Sequence, residues 1–207
     1  KCDRVIQEAA ESLFGANTPP VAILLTHDHP DHFFAMEVIM NAFPNAKVVA
    51  HPTVAADIWK SLPAKVKRWF PVMGANAPRT PTAPQPLDGD TIMLEGNELK
   101  VIGPTQGDHK HATALWAPSI KALFPGDMVH NEVFLWFAET DPAAIVAWGR
   151  ALDKMMALKP DLVVSGHAKP GKGNDGTALA FTRRYIDEWP KLVAASKDSK
   201  VVPVADT

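Results

Sequence analysis

A chain of 207 residues, 46% of them hydrophobic, is long enough to bury a sizeable core and has the composition of an ordinary globular protein. With 21 Lys and Arg against 23 Asp and Glu, its formal charge of -2 sets up no basic field. Nucleic acid and membrane surfaces are therefore not the expected partners, and a small-molecule substrate is. No apolar run approaches the roughly 18 residues that span a bilayer, and the single Cys2 has no second thiol to pair with inside the chain. One domain over residues 1–207 is expected, and a lone cysteine assigns no compartment.

Residues 1–14 read as an amphipathic helix with Val5, Ile6, Ala9, Ala10 and Leu13 apolar. The chain opens without an initiator Met or a signal peptide, so upstream material is expected. Residues 15–20 are a breaker-rich turn, and residues 21–25 suit a short strand buried on both faces. Directly after it stands His27-Asp28-His29-Pro30-Asp31-His32. Pro30 fits the first turn of a helix that carries Phe33, Phe34, Met36, Val38, Ile39 and Met40 and stops at Phe43-Pro44. A second strand over residues 47–50 completes a βαβ unit. Ligands in open α/β sheets bind outside the carboxyl ends of such strands, where the hexapeptide lies.

Two short helices follow, over residues 53–62 and 64–70, bearing Trp59, Trp69 and Phe70, and a Pro-rich passage runs on to Pro86. Residues 53–86 are either an excursion that packs its aromatics locally or a lid inserted over a substrate. Strands over residues 91–95 and 99–102 are joined through Gly96-Asn97, and further strands over residues 113–117 and 122–124 flank Pro118-Ser119. Asp141 caps a helix whose apolar stripe is Ile145, Val146, Trp148, Leu152, Met155, Met156 and Leu158, ended by Lys159-Pro160. Residues 161–165 form another buried strand, and a last helix starts near Thr177, with Pro190 as a kink or break.

Three imidazoles and two carboxylates within six positions make chemical sense if a divalent ion offsets the crowding of like groups, and these donors suit a borderline ion such as Zn²⁺. On extended chain leaving a strand, His27 and His29 point the same way and can chelate one ion, while Asp31 and His32 lie on the next turn and could hold a second. A catalytic zinc needs a third protein ligand and an open position. Further donors stand at strand ends: Gly107-Asp108-His109-Lys110-His111 before one, Pro125-Gly126-Asp127 and Ser165-Gly166-His167 after two others. His130 and Val133-Phe134-Leu135-Trp136-Phe137 either line a pocket or serve the core. Cys2 is remote from all of these motifs, which speaks against a Cys-His mechanism.

The order His27-x-His29-x-Asp31-His32, then a His, an Asp and a His on loops at strand ends, resembles the metallo-β-lactamase-fold hydrolase superfamily from residue 21 to about residue 171. The resemblance implies an αββα sandwich. It implies that His27, His29 and a His of the 109–111 loop bind one metal, that Asp31, His32 and His167 bind a second, and that Asp127 bridges both. The family's opening strands have no counterpart before Lys1, so the domain is expected to lack its N-terminal strands in this chain. The family often writes the middle motif Gly-His-Thr-x-Gly-His, whereas Gln106 to His111 departs from it, and an ungapped match puts Asp108 at the ligand position. His109 is the expected ligand, His111 the reserve, and Asp108 or Gln106 the lesser options.

Such a site implies two Zn²⁺, with iron or manganese as alternatives, that share a water and lower its pKa towards 7, so that hydroxide attacks a carbonyl centre while Asp31 or Asp127 orients it or relays its proton. The implied activity is that of a dinuclear zinc hydrolase cleaving a small ester, lactone, thioester or amide. Asp127 and His32 stand where the Cys-containing zinc β-lactamases have Cys and Arg, so the chain looks more like glyoxalase II-type, lactonase-type or other hydrolases of the fold. The alternatives are an iron-dependent redox enzyme on the same scaffold, sulfur dioxygenase-like or flavo-diiron, and a non-catalytic metal-binding module.

Overall fold

The computed structural model describes residues 22–198, so the helix and turn expected over residues 1–20 lie outside the described residues. Strands β1 (Ala22–Leu25), β2 (Lys47–Ala50) and β3 (Gln85–Pro86) form a parallel sheet in that order, with Ala22 opposite Lys47 and Val49 opposite Gln85. Helices α1 (Pro30–Phe33), α2 (Met36–Ala42) and α3 (Pro52–Met73) make the crossovers. Leu25, Phe33, Met36, Val48, Ala50, Val54 and Ile58 are buried together between this sheet and its helices. Each large side chain of this kind contributes about 1.5–3 kcal/mol on burial.

The second sheet is β4 (Thr91–Leu94), β5 (Asn97–Thr105), β6 (Ala112–Ala117), β7 (Ala122–Asn131) and β8 (Leu162–Ala168), in chain order. It is antiparallel except for the parallel pair β7 and β8, whose crossover is α4 (Pro142–Ala157). Helix α5 (Thr177–Asp198) packs beside α4 and against β7. Leu123, Met128, Trp148, Leu152, Met155, Leu179 and Ile186 form the core under these helices. Fully buried Trp148 donates its Nε1–H to the carbonyl of Met128 at 2.9 Å, which satisfies its one polar group. The layers are those of an αββα sandwich.

Several local expectations change. Only Leu25 of β1 is buried and its neighbours are half-buried, so this strand is less enclosed than its composition implies. The helix after the hexapeptide is interrupted at Phe34-Ala35, and Phe34 within the break and Phe33 and Met36 on either side of it are all buried. In place of two short helices stands one, α3, running through Pro63 and Pro71. A proline removes one helical hydrogen bond. Here Val54, Ala55 and Ile58 before Pro63 and Phe70 and Met73 after it face the same core, so one apolar stripe spans the break. Val54, Ala55 and Ile58 anchor the start of this segment in the core, while Trp59 stays exposed. His51 caps the helix, its Nδ1 accepting from Thr53 N at 3.2 Å.

The β4–β5 turn is Glu95-Gly96, with φ of 50° and 79°, one residue earlier than expected. Positive φ at both central residues is the hairpin geometry that matches strand twist. Asp141 does cap α4, its Oδ1 accepting from Ala144 N at 2.7 Å. Asp141→Ala should cost about 1 kcal/mol, read as a lower urea midpoint with an unchanged slope.

At the carboxyl end of β1 the two sheets meet. The Thr26 carbonyl accepts from Thr113 N at 2.9 Å and from Thr113 Oγ1 at 2.8 Å, which ties the start of the hexapeptide to β6. A Cβ on Gly126, whose φ is +54°, would lie 2.6 Å from Thr26 Oγ1, so only glycine lets β7 pass this close.

Candidate metal centre

The hexapeptide leaves β1 through a bend at His27-Asp28 and turns into α1 at Pro30, with His29 extended at the N-cap position (φ -74°, ψ 139°). His27 therefore comes off a bend rather than the extended chain expected for it and His29 off extended backbone, while Asp31 and His32 come off the first helical turn. From the other sheet arrive Asp108, on the loop before β6, Asp127, within β7, and His167, within β8. Strands β7 and β8 run longer than their apolar cores suggest, so Asp127 and His167 stand on sheet backbone rather than on following loops.

Two donor groups result: His27, His29, Asp108 and Asp127, and Asp31, His32, Asp127 and His167, each with one ligand-type atom per residue within 4.8 Å of the rest. Asp127 belongs to both. Its Oδ2 lies 3.7 Å from His27 Nε2, 3.0 Å from His32 Nε2 and 3.2 Å from His167 Nε2. Asp31 Oδ2 lies 3.2 Å from His167 Nε2 and 3.3 Å from His32 Nε2. Asp108 Oδ2 lies 3.0 Å from His29 Nδ1 and 3.9 Å from His27 Nε2.

His109, the ligand expected from the sequence, is outside both groups. Its Nε2 faces Asp28 Oδ1 at 3.2 Å, and its backbone N–H donates to Asp108 Oδ1 at 2.8 Å. Asp108 takes the place on the donor side because neighbouring side chains on this turn point apart. The reserve, His111, turns to α3, where its Nδ1 lies 2.6 Å from Asp57 Oδ2. Gln106 donates to the Gly107 carbonyl. His130 is buried and stacks on His167 with ring centroids 5.6 Å apart. Of the aromatic stretch, Phe134 and Trp136 line the cleft while Leu135 and Phe137 join the core.

Three supporting residues carry no motif of their own. Thr26 Oγ1 lies 3.0 Å from His27 Nδ1, Glu139 Oε1 lies 3.1 Å from His29 Nε2, and Lys65 Nζ lies 2.8 Å from Asp28 Oδ2 and also reaches the Asp28 carbonyl. Only Thr26 has a legible signal, its adjacency to His27. Glu139 meets His29 across 110 positions of chain.

The residues fit a metal on two counts. His27 Nε2, Asp108 Oδ2 and Asp127 Oδ1 are buried without a well-formed hydrogen bond, an arrangement that costs free energy unless a cation faces these atoms. Imidazole nitrogens and carboxylate oxygens are also the donor set for zinc, iron or manganese. A cleft of about 1940 Å³, with His29, Asp31, Asp127, Trp69, Phe134 and Trp136 among its lining residues, opens on the site and has room for a small organic molecule.

A sequence model of the metallo-beta-lactamase superfamily matches residues 4–167. The chain belongs to that superfamily. Solved members agree with it in fold: a metallo-beta-lactamase from Pontibacter korlensis aligns with a TM-score of 0.62 at 21% identity, over 89% of this chain and 76% of its own. DIM-1 metallo-beta-lactamase aligns at 0.64 and 19% identity over 90% and 78%, and metallo-beta-lactamase IND-7 at 0.63 and 17% over 89% and 75%. No curated protein sequence matches the chain significantly. Among the described residues of this superfamily member, no helix is long and apolar enough to cross a membrane.

The charges of the site bear on metal uptake. Burial holds the His27 imidazole down at about 4, so it is neutral. Burial also opposes charge on His29, but Asp108 and Glu139 outweigh it and hold the ring up at about 10. Asp127 and Asp31 likewise outweigh burial to hold His32 up at about 9, and with less burial to overcome they hold His167 up at about 10. Coordination needs neutral imidazole, so metal uptake at pH 7 should release roughly three protons and strengthen as pH rises. Calorimetry in buffers of different ionisation enthalpy reads that release; identical heats in all buffers would reject it.

Proposed function

We propose that this chain is a dinuclear metal-dependent hydrolase, loaded with two Zn²⁺, that cleaves a small ester, lactone, thioester or amide. The observation that carries this reading is the sharing of Asp127 by two donor groups at the floor of a wide cleft. His27, His29 and Asp108 would hold one ion, Asp31, His32 and His167 the other, and Asp127 both. Bound there, the metal pair supplies a nucleophile from water at neutral pH and polarises the carbonyl of the substrate.

The chain's own groups do the remainder. Thr26 and Glu139 orient His27 and His29 from behind. Burial opposes ionisation of Asp31 and Asp127, but hydrogen bonds from His167 and His32 outweigh it and keep both carboxyls well below the usual carboxylate range, so each is an anion that accepts and orients a proton. Asp31, the more exposed of the two, borders the cleft and can pass that proton to a leaving group or solvent. Phe134 and Trp136 offer apolar surface to the non-reacting part of a substrate. The near-neutral charge balance favours such a small molecule over nucleic acid or a membrane surface.

The deciding experiment is a screen of lactones, thioesters, esters and β-lactams against the zinc-loaded protein, with Asp127→Asn as the blank. Turnover above the blank supports hydrolysis; none in any class, from protein that holds two equivalents of zinc, rejects it. A second reading draws on Asp108, which makes the first group two histidines with carboxylates, a set that also suits iron. Stoichiometric iron in protein purified without added metal, together with O₂ consumption, would favour redox chemistry over hydrolysis.

A further inference from the structure

Glu139 lies on the loop between β7 and α4 and contributes nothing to either donor group. Its place is on the far edge of His29. Glu139 Oε1 is 3.1 Å from Nε2 of that ring, while Nδ1 of the same ring is 3.0 Å from Asp108 Oδ2 inside the first group. The two nitrogens thus have different tasks, and a neutral imidazole has one proton to divide between them. Placed on Nε2, the proton is donated to Glu139 and the Nδ1 lone pair faces the donor group. Placed on Nδ1, it would point at the cation and leave Glu139 facing a second lone pair.

We infer that Glu139 is a positioning residue that fixes His29 in its Nε2–H form and so commits Nδ1 to the first metal. The wider surroundings support the same assignment. Glu139 Oε2 is 3.9 Å from His109 Nε2, His109 Nε2 is 3.2 Å from Asp28 Oδ1, and Asp28 Oδ2 is 2.8 Å from Lys65 Nζ. Alternating acids and bases therefore run from α3 to the outer edge of His29, and His109 serves within that chain. Carboxylates placed behind a ligating histidine fix the tautomer and ring angle and raise donor strength. This inference rests on the metal reading of the site but does not require hydrolysis.

The test measures binding and tautomer without any substrate. Zn²⁺ affinity of the full chain, measured by chelator competition, should fall about 10–100-fold at one site in Glu139→Ala, with the other site unchanged. Glu139→Gln, which keeps an acceptor oxygen, should recover part of the loss. Long-range ¹H–¹⁵N NMR of the zinc-loaded parent should show His29 protonated at Nε2. Parental affinity in Glu139→Ala, equal loss at both sites, or an Nδ1–H His29 would each overturn the assignment. A merely structural ion pair at this half-exposed loop would leave the tautomer as it was. A protein that binds zinc as described yet hydrolyses nothing would end the hydrolase reading and leave this one intact.

Discussion

Asp127→Asn is expected to abolish tight binding of both metals at once, with affinity down by at least about 100-fold at each, beyond the 10–100-fold usual for partners behind a ligand. The side chain is isosteric, so shape is kept while the charge is lost and one acceptor oxygen becomes an NH₂ donor. Oδ2 of this residue stands within 3.0–3.7 Å of His32, His167 and His27 nitrogens, which no other acid in the centre does. Asp31 and Asp108 each serve one group only. Zinc content after gel filtration reads the result, and two retained equivalents would falsify the sharing of Asp127.

The same substitution has a signature in metal-free protein. His32 and His167 are held up at about 9 and about 10, mainly against burial in the first and by direct bonding to Asp127 in both. Groups whose folded pKa is raised stabilise the fold fully below their unfolded value near 6.5, and that contribution fades as pH climbs through the folded value. Metal-free parent should therefore lose stability between about pH 6.5 and 10. Asp127→Asn should lose markedly less over that window, which denaturant titrations at several pH values would reveal.

Gly166→Ala is the second large effect. A Cβ at this position would lie 1.9 Å from Asp127 Oδ1, 2.7 Å from the Gly126 carbonyl carbon and 2.9 Å from Asp127 N. Two of those neighbours are backbone of the adjacent strand and cannot rotate aside. Either β7 and β8 part locally or Asp127 swings out of both donor groups. Overpacking of this kind costs about 1–3 kcal/mol, and zinc affinity should fall with it. Gly173→Ala, where the nearest atom is 3.9 Å away, is the matched control and should be near neutral in both assays. Equal stability and equal zinc affinity for the two variants would show that β8 has slack which the close contact denies.

How much of this was readable beforehand varies by residue, for physical reasons. Short apolar runs bounded by breakers marked β1, β2 and β8, and the Asp141 cap marked the start of α4, because those signals are local. The hexapeptide stood out because its donors are adjacent in the chain. Asp108 against His109 was open, since a one-residue slip reverses which side chain faces inward, and β5 and β6 pair with a register shift between Ile102 and Thr105 just before that loop. Continuity of α3 through Pro63 depends on a core that only the folded chain presents. Glu139 and Gly166 left no trace, because what each needs is a neighbour far away in sequence.

The meeting of the sheets at Thr26 has one more outcome. Each donor group draws members from the segment that follows β1, the bend and N-cap for one and the first turn of α1 for the other, and from the opposite sheet, and the paired bonds from Thr113 to the Thr26 carbonyl are a direct polar link at that seam. A bound ion would therefore act as a reversible staple between two half-molecules, like a disulfide whose closure is governed by metal supply instead of redox poise. At free metal 100 times the dissociation constant, such a staple contributes about 2.7 kcal/mol. How long this protein lasts in its cell would then depend on how much metal the cell leaves free.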